Sequence, residues 1–239
     1  MILLAIDTST PRAAVALDRP GRPARFAPPE PGLRHGRGLV PGIAGLLAAE
    51  GISARDLDAI AVGVGPGSYT GLRIGLTAAK CLAYAARKPL VAIDSLEAIA
   101  GNAPADSRAV AVVVDAQRGD GYVAEFARDA PGGPLRRLGQ TRIEPLGPWA
   151  AALAEGTLVL GPALDRLALD WPAAVQSGTA DQGHPHGSTL IDLGREALLA
   201  GRVVDPFALE PSYFRRSAAE DQWDARKPTG PRKPDGNAA

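Results

Sequence analysis

Two kinds of hydrophobic pattern divide this chain. Ile2–Ile6 is an unbroken apolar run ended by the polar cluster Asp7-Thr8-Ser9-Thr10-Pro11, the form of a short strand buried on both faces. Arg12–Asp18 predicts a second strand, paired with the first as a hairpin through that cluster. Residues 19–38 carry five Pro and four Gly and read as loop. Leu39, Val40, Ile43, Leu46 and Leu47 then recur at helical spacing, with Gly51 as the stop. Ser53 and Asp56 have the spacing of a capping box and predict a short helix. Ala59–Val64 predicts a strand, residues 65–71 a glycine-rich loop, and Leu72–Ala86 a helix. That helix is small and apolar almost all round, so it is either central in its domain or partly turned toward another chain. Leu90–Ile93 is a further strand, and Ser95 is the expected cap of a helix from Leu96 to about Gly101.

After a break at residues 102–107 the pattern restarts. A strand over 109–114 leads into Asp115-Ala-Gln-Arg-Gly-Asp120 and a strand over 121–127, echoing the strand, aspartate turn and strand of residues 2–18. The echo implies two half-domains, each opening on a strand whose end carries an aspartate. Val159-Leu-Gly-Pro162 reads as a later strand and turn, and residues 188–200 as a last helix.

Composition narrows the class. The chain is 46% hydrophobic but only 5% aromatic, so its core must be built from Ala, Leu, Val and Ile. Its 239 residues suit one or two domains. Basic and acidic side chains balance at 26 each, leaving no global field to draw in polyanions. Cys81 is the only cysteine, which excludes a disulfide framework and a cysteine-rich zinc site. Ile2–Ile6 is too short for a signal-peptide core, and no apolar run approaches the roughly 18 residues of a membrane span. A cytoplasmic protein is the expectation.

The strongest chemical signal is Gly63-Val-Gly-Pro-Gly-Ser-Tyr-Thr-Gly-Leu-Arg-Ile-Gly75, between a strand and a helix. Two readings are open. Gly65 and Gly67, with Ser68, Thr70 and Arg73 nearby, have the makings of an anion cradle at a helix start. Alternatively, the glycines only allow tight packing. The block is neither a Walker loop nor a dinucleotide fingerprint. Asp7, Thr8 and Ser9 at a strand end are the residue types that hold a metal–phosphate complex, although a plain hydroxyl turn uses the same residues. Asp115 occupies the matching point of the second half. Two such loops facing across a cleft describe an actin/hexokinase/Hsp70-type ATPase, but here the second loop, Ala116-Gln-Arg-Gly119, carries side chains that would obstruct a triphosphate. His184-Pro-His186 lies in a Gly/Pro loop, and neither a His-Glu-x-x-His nor a Gly-x-Ser-x-Gly motif occurs.

Taken in order, Ile2–Thr10, Gly63–Gly75, Lys80-Cys-Leu-Ala83, Asp94-Ser-Leu-Glu-Ala98, Asp115–Tyr122 and Pro211-Ser-Tyr-Phe-Arg215 resemble the TsaB (YeaZ) family, from residue 2 to about 223. The resemblance implies an α/β ASKHA (actin/hexokinase/Hsp70-like) fold: two half-domains, each a mixed β-sheet flanked by helices. On this frame 1–103 is the N-terminal half with the partner interface and 104–205 the C-terminal half. Residues 206–226 pack back on the first half, and 227–239 form a disordered tail. The implied role is that of a non-catalytic scaffold for transfer of threonylcarbamoyl from threonylcarbamoyl-AMP to the adenosine beside the anticodon. The partners are TsaD, a metal-binding paralogue that performs the transfer, and TsaE, a P-loop ATPase. A homodimer when alone, and contact with tRNA through the complex, belong to the same expectation. No intrinsic cofactor or metal is implied, and ATP, ADP or Mg only at a complex interface. The family's interfaces use helices of the N-terminal half, so Leu39, Ile43, Leu46, Leu47, Leu72, Leu76, Ala79 and Ala83 are assigned to it. The competing class is an ATP-dependent phosphotransferase of the sugar-kinase type using Asp7 and Asp115, and a peptidase is weaker still. Two departures from the family stand out: the Pro/Gly-rich 19–38, and His184-Pro-His186 where the family has a segment closer to Tyr-Pro-Arg. No role is attached to either histidine.

Overall fold

The short apolar runs form the inner strands of two separate sheets. The computed structural model describes residues 1–26, 35–162, 164, 167, 169 and 171–215. In the first sheet the strands are β1 (Leu3–Asp7), β2 (Ala14–Arg19), β3 (Arg22–Phe26), β4 (Ala59–Gly63) and β5 (Leu90–Ile93). Their order is β3-β2-β1-β4-β5. β1 pairs antiparallel with β2, placing Asp7 opposite Ala14, and parallel with β4, placing Ile6 opposite Val62. Helices α1 (His35–Ala49) and α2 (Tyr69–Ala86) cover one face, where Leu4 and Ile6 pack against Leu39, Ile43, Leu76 and Ala79. Strand alternation sends Leu3 and Ala5 to the other face, against Leu190 and Ile191. Those belong to α5 (Gly187–Leu199), so a helix far along the chain closes the first sheet. Cover on both faces is why Leu3–Asp7 is buried at every position.

The second sheet comprises β6 (Ala109–Asp115), β7 (Asp120–Ala127), β8 (Arg136–Arg137), β9 (Arg142–Pro145), β10 (Thr157–Leu160) and β11 (Gln176–Ser177). Its order is β11-β10-β6-β7-β8, with β9 also paired to β7. β6 is antiparallel to β7 and parallel to β10, the relations β1 has to β2 and β4. The internal echo in the sequence is therefore a repeat of topology, with Asp7 and Asp115 each the last residue of a leading strand. α3 (Ser95–Ala100) packs Leu96 and Ile99 on one face of this sheet. α4 (Leu146–Ala151) puts Leu146 and Trp149 on the other. Two mixed sheets flanked by helices constitute the ASKHA architecture.

Several elements differ from expectation. β3 lies inside the Pro/Gly-rich segment read as loop; it is an edge strand, where Pro23 costs no ladder bond inside the sheet. α2 begins three residues before Leu72, because the Ser68 side chain accepts from Gly71 N at 3.2 Å and starts the helix there. The helix expected after Ser53 is a single 3-10 turn, Ala54–Asp56, although Ser53 N does donate to Asp56 Oδ2 at 2.7 Å. The cap of α3 is Asp94, not Ser95: Asp94 Oδ1 accepts from Leu96 N and Glu97 N at 2.8 and 3.1 Å. Part of the loop expected over 19–38 and the whole tail 227–239 lie outside the described residues, as does the end of the 206–226 segment. Among the described residues no helix is long and apolar enough to cross a membrane.

Candidate functional site

Asp7, Thr8 and Ser9 do converge with the glycine block, but as a closed knot. Asp7 is 1% exposed. Its Oδ1 accepts from Ser9 N at 2.7 Å and Ser9 Oγ at 2.6 Å, and its Oδ2 accepts from Ser95 Oγ at 2.6 Å. Ser95 Oγ in turn accepts from Gly65 N at 3.0 Å. Burial pushes the Asp7 carboxyl above its ordinary range, against the opposing pull of these hydrogen bonds. Thr8 Oγ1 donates to Gly71 O at 2.7 Å, and Ser68 N donates to Ser9 O at 2.7 Å.

The glycines are spaced to let this knot form. A Cβ on Gly63 would lie 1.8 Å from Asp7 Oδ2, one on Gly67 2.3 Å from Ser9 O, and one on Gly75 2.1 Å from Thr8 Oγ1. Gly65 alone of the block has a positive φ, +98°, which its place in the turn requires. The contacts show the packing role of the glycines directly: the backbone of Gly67 and Gly71 is pressed against Ser9 and Thr8. Ser68 and Thr70 are exposed beyond the knot. Arg73 lies outside it too, donating through Nε to Tyr213 Oη at 3.0 Å with its guanidinium 4.2 Å from the centre of the Tyr69 ring.

Asp115 is not brought into this cluster. It is exposed, and its Oδ1 accepts from Gln117 N at 2.7 Å in the turn before β7. The carboxylate whose charge reaches Asp7 is Asp94. The second loop is further closed by Arg215, whose guanidinium donates to Ala116 O at 3.0 Å and pairs with the Asp120 carboxylate. Asp7 is thus sealed within its own hydrogen-bonded cluster, while Asp115 is exposed at a turn of the second sheet. Among the described residues no cluster of three His, Cys, Asp or Glu could hold a metal ion.

The eight residues assigned to a partner interface, Leu39, Ile43, Leu46, Leu47, Leu72, Leu76, Ala79 and Ala83, are 0–8% exposed inside this chain's own structure. They hold α1 and α2 to the protein and do not face outward, which corrects that assignment. The physical reason is that a helix apolar all round has no polar stripe to mark its solvent side. The outward rows are Val40, Ala44 and Ala48 on α1, and Thr77, Cys81 and Ala85 on α2.

Sequence reasoning also passed over His184. Its Nδ1 is hydrogen-bonded to Thr10 Oγ1 at 2.9 Å, and Thr10 Oγ1 donates to Arg12 O at 3.0 Å. Burial, aided by nearby Arg12, pushes His184 down to about 4. Its backbone oxygen accepts from Asn102 Nδ2 at 2.6 Å. This histidine is a neutral brace behind the Asp7 turn, and loop composition alone carried no signal of it.

Comparison with known proteins places the chain in one family. Residues 26–171 match the family described as TsaD, tRNA N6-adenosine threonylcarbamoyltransferase. The chain is 32% identical over 230 residues to the tRNA threonylcarbamoyladenosine biosynthesis protein TsaB of Bacillus subtilis, covering 93% of this chain and 98% of that one. It is 32% identical over 219 residues to TsaB of Escherichia coli, covering 87% and 83%. Among solved structures, YeaZ from Pseudomonas aeruginosa superposes with a TM-score of 0.73 at 29% identity, over 89% of this chain and 99% of that one.

Proposed function

Since this chain belongs to the TsaB (YeaZ) branch of the family described as TsaD, tRNA N6-adenosine threonylcarbamoyltransferase, we propose that it serves threonylcarbamoyladenosine formation in tRNA as a subunit without chemistry of its own. The transfer of threonylcarbamoyl from threonylcarbamoyl-AMP to adenosine N6 then belongs to a metal-binding TsaD partner, with a TsaE-type P-loop ATPase joining them in the cytoplasm. The observation that carries this reading is the sealed Asp7 knot. A carboxyl that is 1% exposed and already accepts three hydrogen bonds from its own chain is screened from any substrate by burial. Any ATP, ADP or Mg sits at the interface with a partner.

The docking face in this reading is the pair of outward rows on α1 and α2. Small side chains at Ala44, Ala48, Cys81 and Ala85 let another helix pair approach closely. The isolated chain would use the same face to pair with a second copy. Tested with purified components, the chain alone transfers no threonylcarbamoyl to tRNA, and adding the TsaD partner restores transfer. Modification by the chain alone would overturn the proposal. Ala48→Glu with Ala85→Arg should abolish partner capture while the melting temperature holds; undiminished capture removes this face from the interface.

A further inference from the structure

We propose that Arg22 and Arg25, held by the buried Glu50 at the edge of the first sheet, form a contact for RNA phosphates. The inference rests on the tRNA reading above and extends it to a site on this chain. Glu50 follows α1 directly, and its side chain is 1% exposed. Three guanidiniums from the β2–β3 hairpin converge on it: Arg22 Nη1 at 3.0 Å, Arg25 Nε at 3.0 Å and Arg19 Nη1 at 3.6 Å. Arg19 Nη1 also donates to Glu50 O at 3.1 Å, so it is spent on the end of α1.

Charge does not balance here. In every other arginine–carboxylate pair among the described residues, the carboxylate meets one arginine. At Glu50 it meets three. Arg22 and Arg25 each touch Glu50 through a single nitrogen, on different carboxylate oxygens, so neither makes the two-pronged contact a guanidinium can make. Both side chains are more than half exposed, at 53% and 59%. A buried carboxylate shared by three guanidiniums thus holds one nitrogen of each fork and leaves the exposed remainder of Arg22 and Arg25 turned outward. Planar donors with excess charge match phosphate oxygens. The zero net charge of the chain argues against steering by a global field, not against a local contact of this kind.

The patch adjoins the C-terminal end of the α1 row, so RNA and an acidic partner surface are both tested. The full chain, assembled with its TsaD and TsaE partners, is titrated into a fluorescein-labelled tRNA that reads codons beginning with A, across a salt series. For Arg22→Gln with Arg25→Gln we expect roughly 5- to 20-fold weaker binding and a salt slope reduced by about 1–2. Arg22→Lys with Arg25→Lys should recover most of the slope, since charge is kept. Partner capture without RNA should be unchanged. Unchanged affinity and slope overturn the proposal, and so does a loss confined to partner capture. Wild-type assembly that makes no threonylcarbamoyladenosine sinks the underlying function instead, whatever the binding data. A melt of each variant checks that Arg19 alone still holds Glu50.

Discussion

Asp7, Gly63 and Ser95 form one unit at the residue scale. Asp7 is buried, and Gly63 faces it across the sheet with no room for a methyl group. Gly63→Ala is therefore expected to cost about 1–3 kcal/mol or more, because both obstructing oxygens are tied by hydrogen bonds and cannot swing away; urea melts measure this. The acid behaviour follows from the direction of the Asp7 shift. Burial raises the folded-state value above the ordinary 3.8. The folded chain then holds this proton more tightly than the unfolded chain. Stability from this group is present at low pH and is lost as pH rises through the raised folded value. Melting wild type and Asp7→Asn from about pH 4 to about pH 7 should show the wild-type advantage shrinking as pH rises. An advantage that grows toward neutral pH would mean the knot favours the charged carboxylate. Asp7 and the glycine block each stand out in the sequence as candidate chemistry. That they press on each other follows from glycine positions where an added Cβ would meet the neighbouring loop at 1.8–2.3 Å, a closeness that residue types do not encode.

Elements were legible where pattern and length were both strong. β1, β4, β5, β6 and α5 follow apolar runs or periodicity and lie within a residue or two of their expected bounds. The strands missed, β3, β8, β9 and β11, are polar, two to five residues long, and at or near sheet edges. Nothing local distinguishes them from turns, because partners elsewhere in the chain make them strands. α3 shows the same limit at a helix end. Asp94 and Ser95 are both good caps in isolation, but Ser95 is drawn to Asp7 and Asp94 is left to cap. Asp94 Oδ2 also meets Arg137 at 2.8 Å. Asp94→Ala should cost about 1–2 kcal/mol and raise hydrogen exchange at Leu96 and Glu97. Ser95→Ala should leave those amides protected. On α2, Ala83→Glu places a charge where exposure is 1% and should prevent stable folding, whereas Cys81→Ser on the outward row should not move the melting temperature. Circular dichroism melts separate the two.

At the scale of the whole molecule, the C-terminal segment joins the two sheets. Val204 N donates to Leu90 O at 2.9 Å on the edge of the first sheet. Lys80 Nζ on α2 then donates to Leu209 O at 2.8 Å, and Ser212 N to Val64 O at 2.8 Å. Tyr213 stacks on Tyr69 with ring centres 5.0 Å apart. The described chain ends at Arg215, on the Ala116–Asp120 turn of the second sheet. The segment thus runs from the edge of the first sheet and the glycine block to the Ala116–Asp120 turn of the second sheet. If it ties the halves together, Arg215→Ala should release one end only. The expected loss is about 1 kcal/mol for a partly exposed ion pair with carbonyl contacts, or about 2–4 °C in melting temperature at this chain length. Hydrogen exchange should quicken at residues 116–120 and stay unchanged in β1 and β4. Quickening spread evenly over both sheets would instead make Arg215 a general packing contact, with no special part in coupling the two halves.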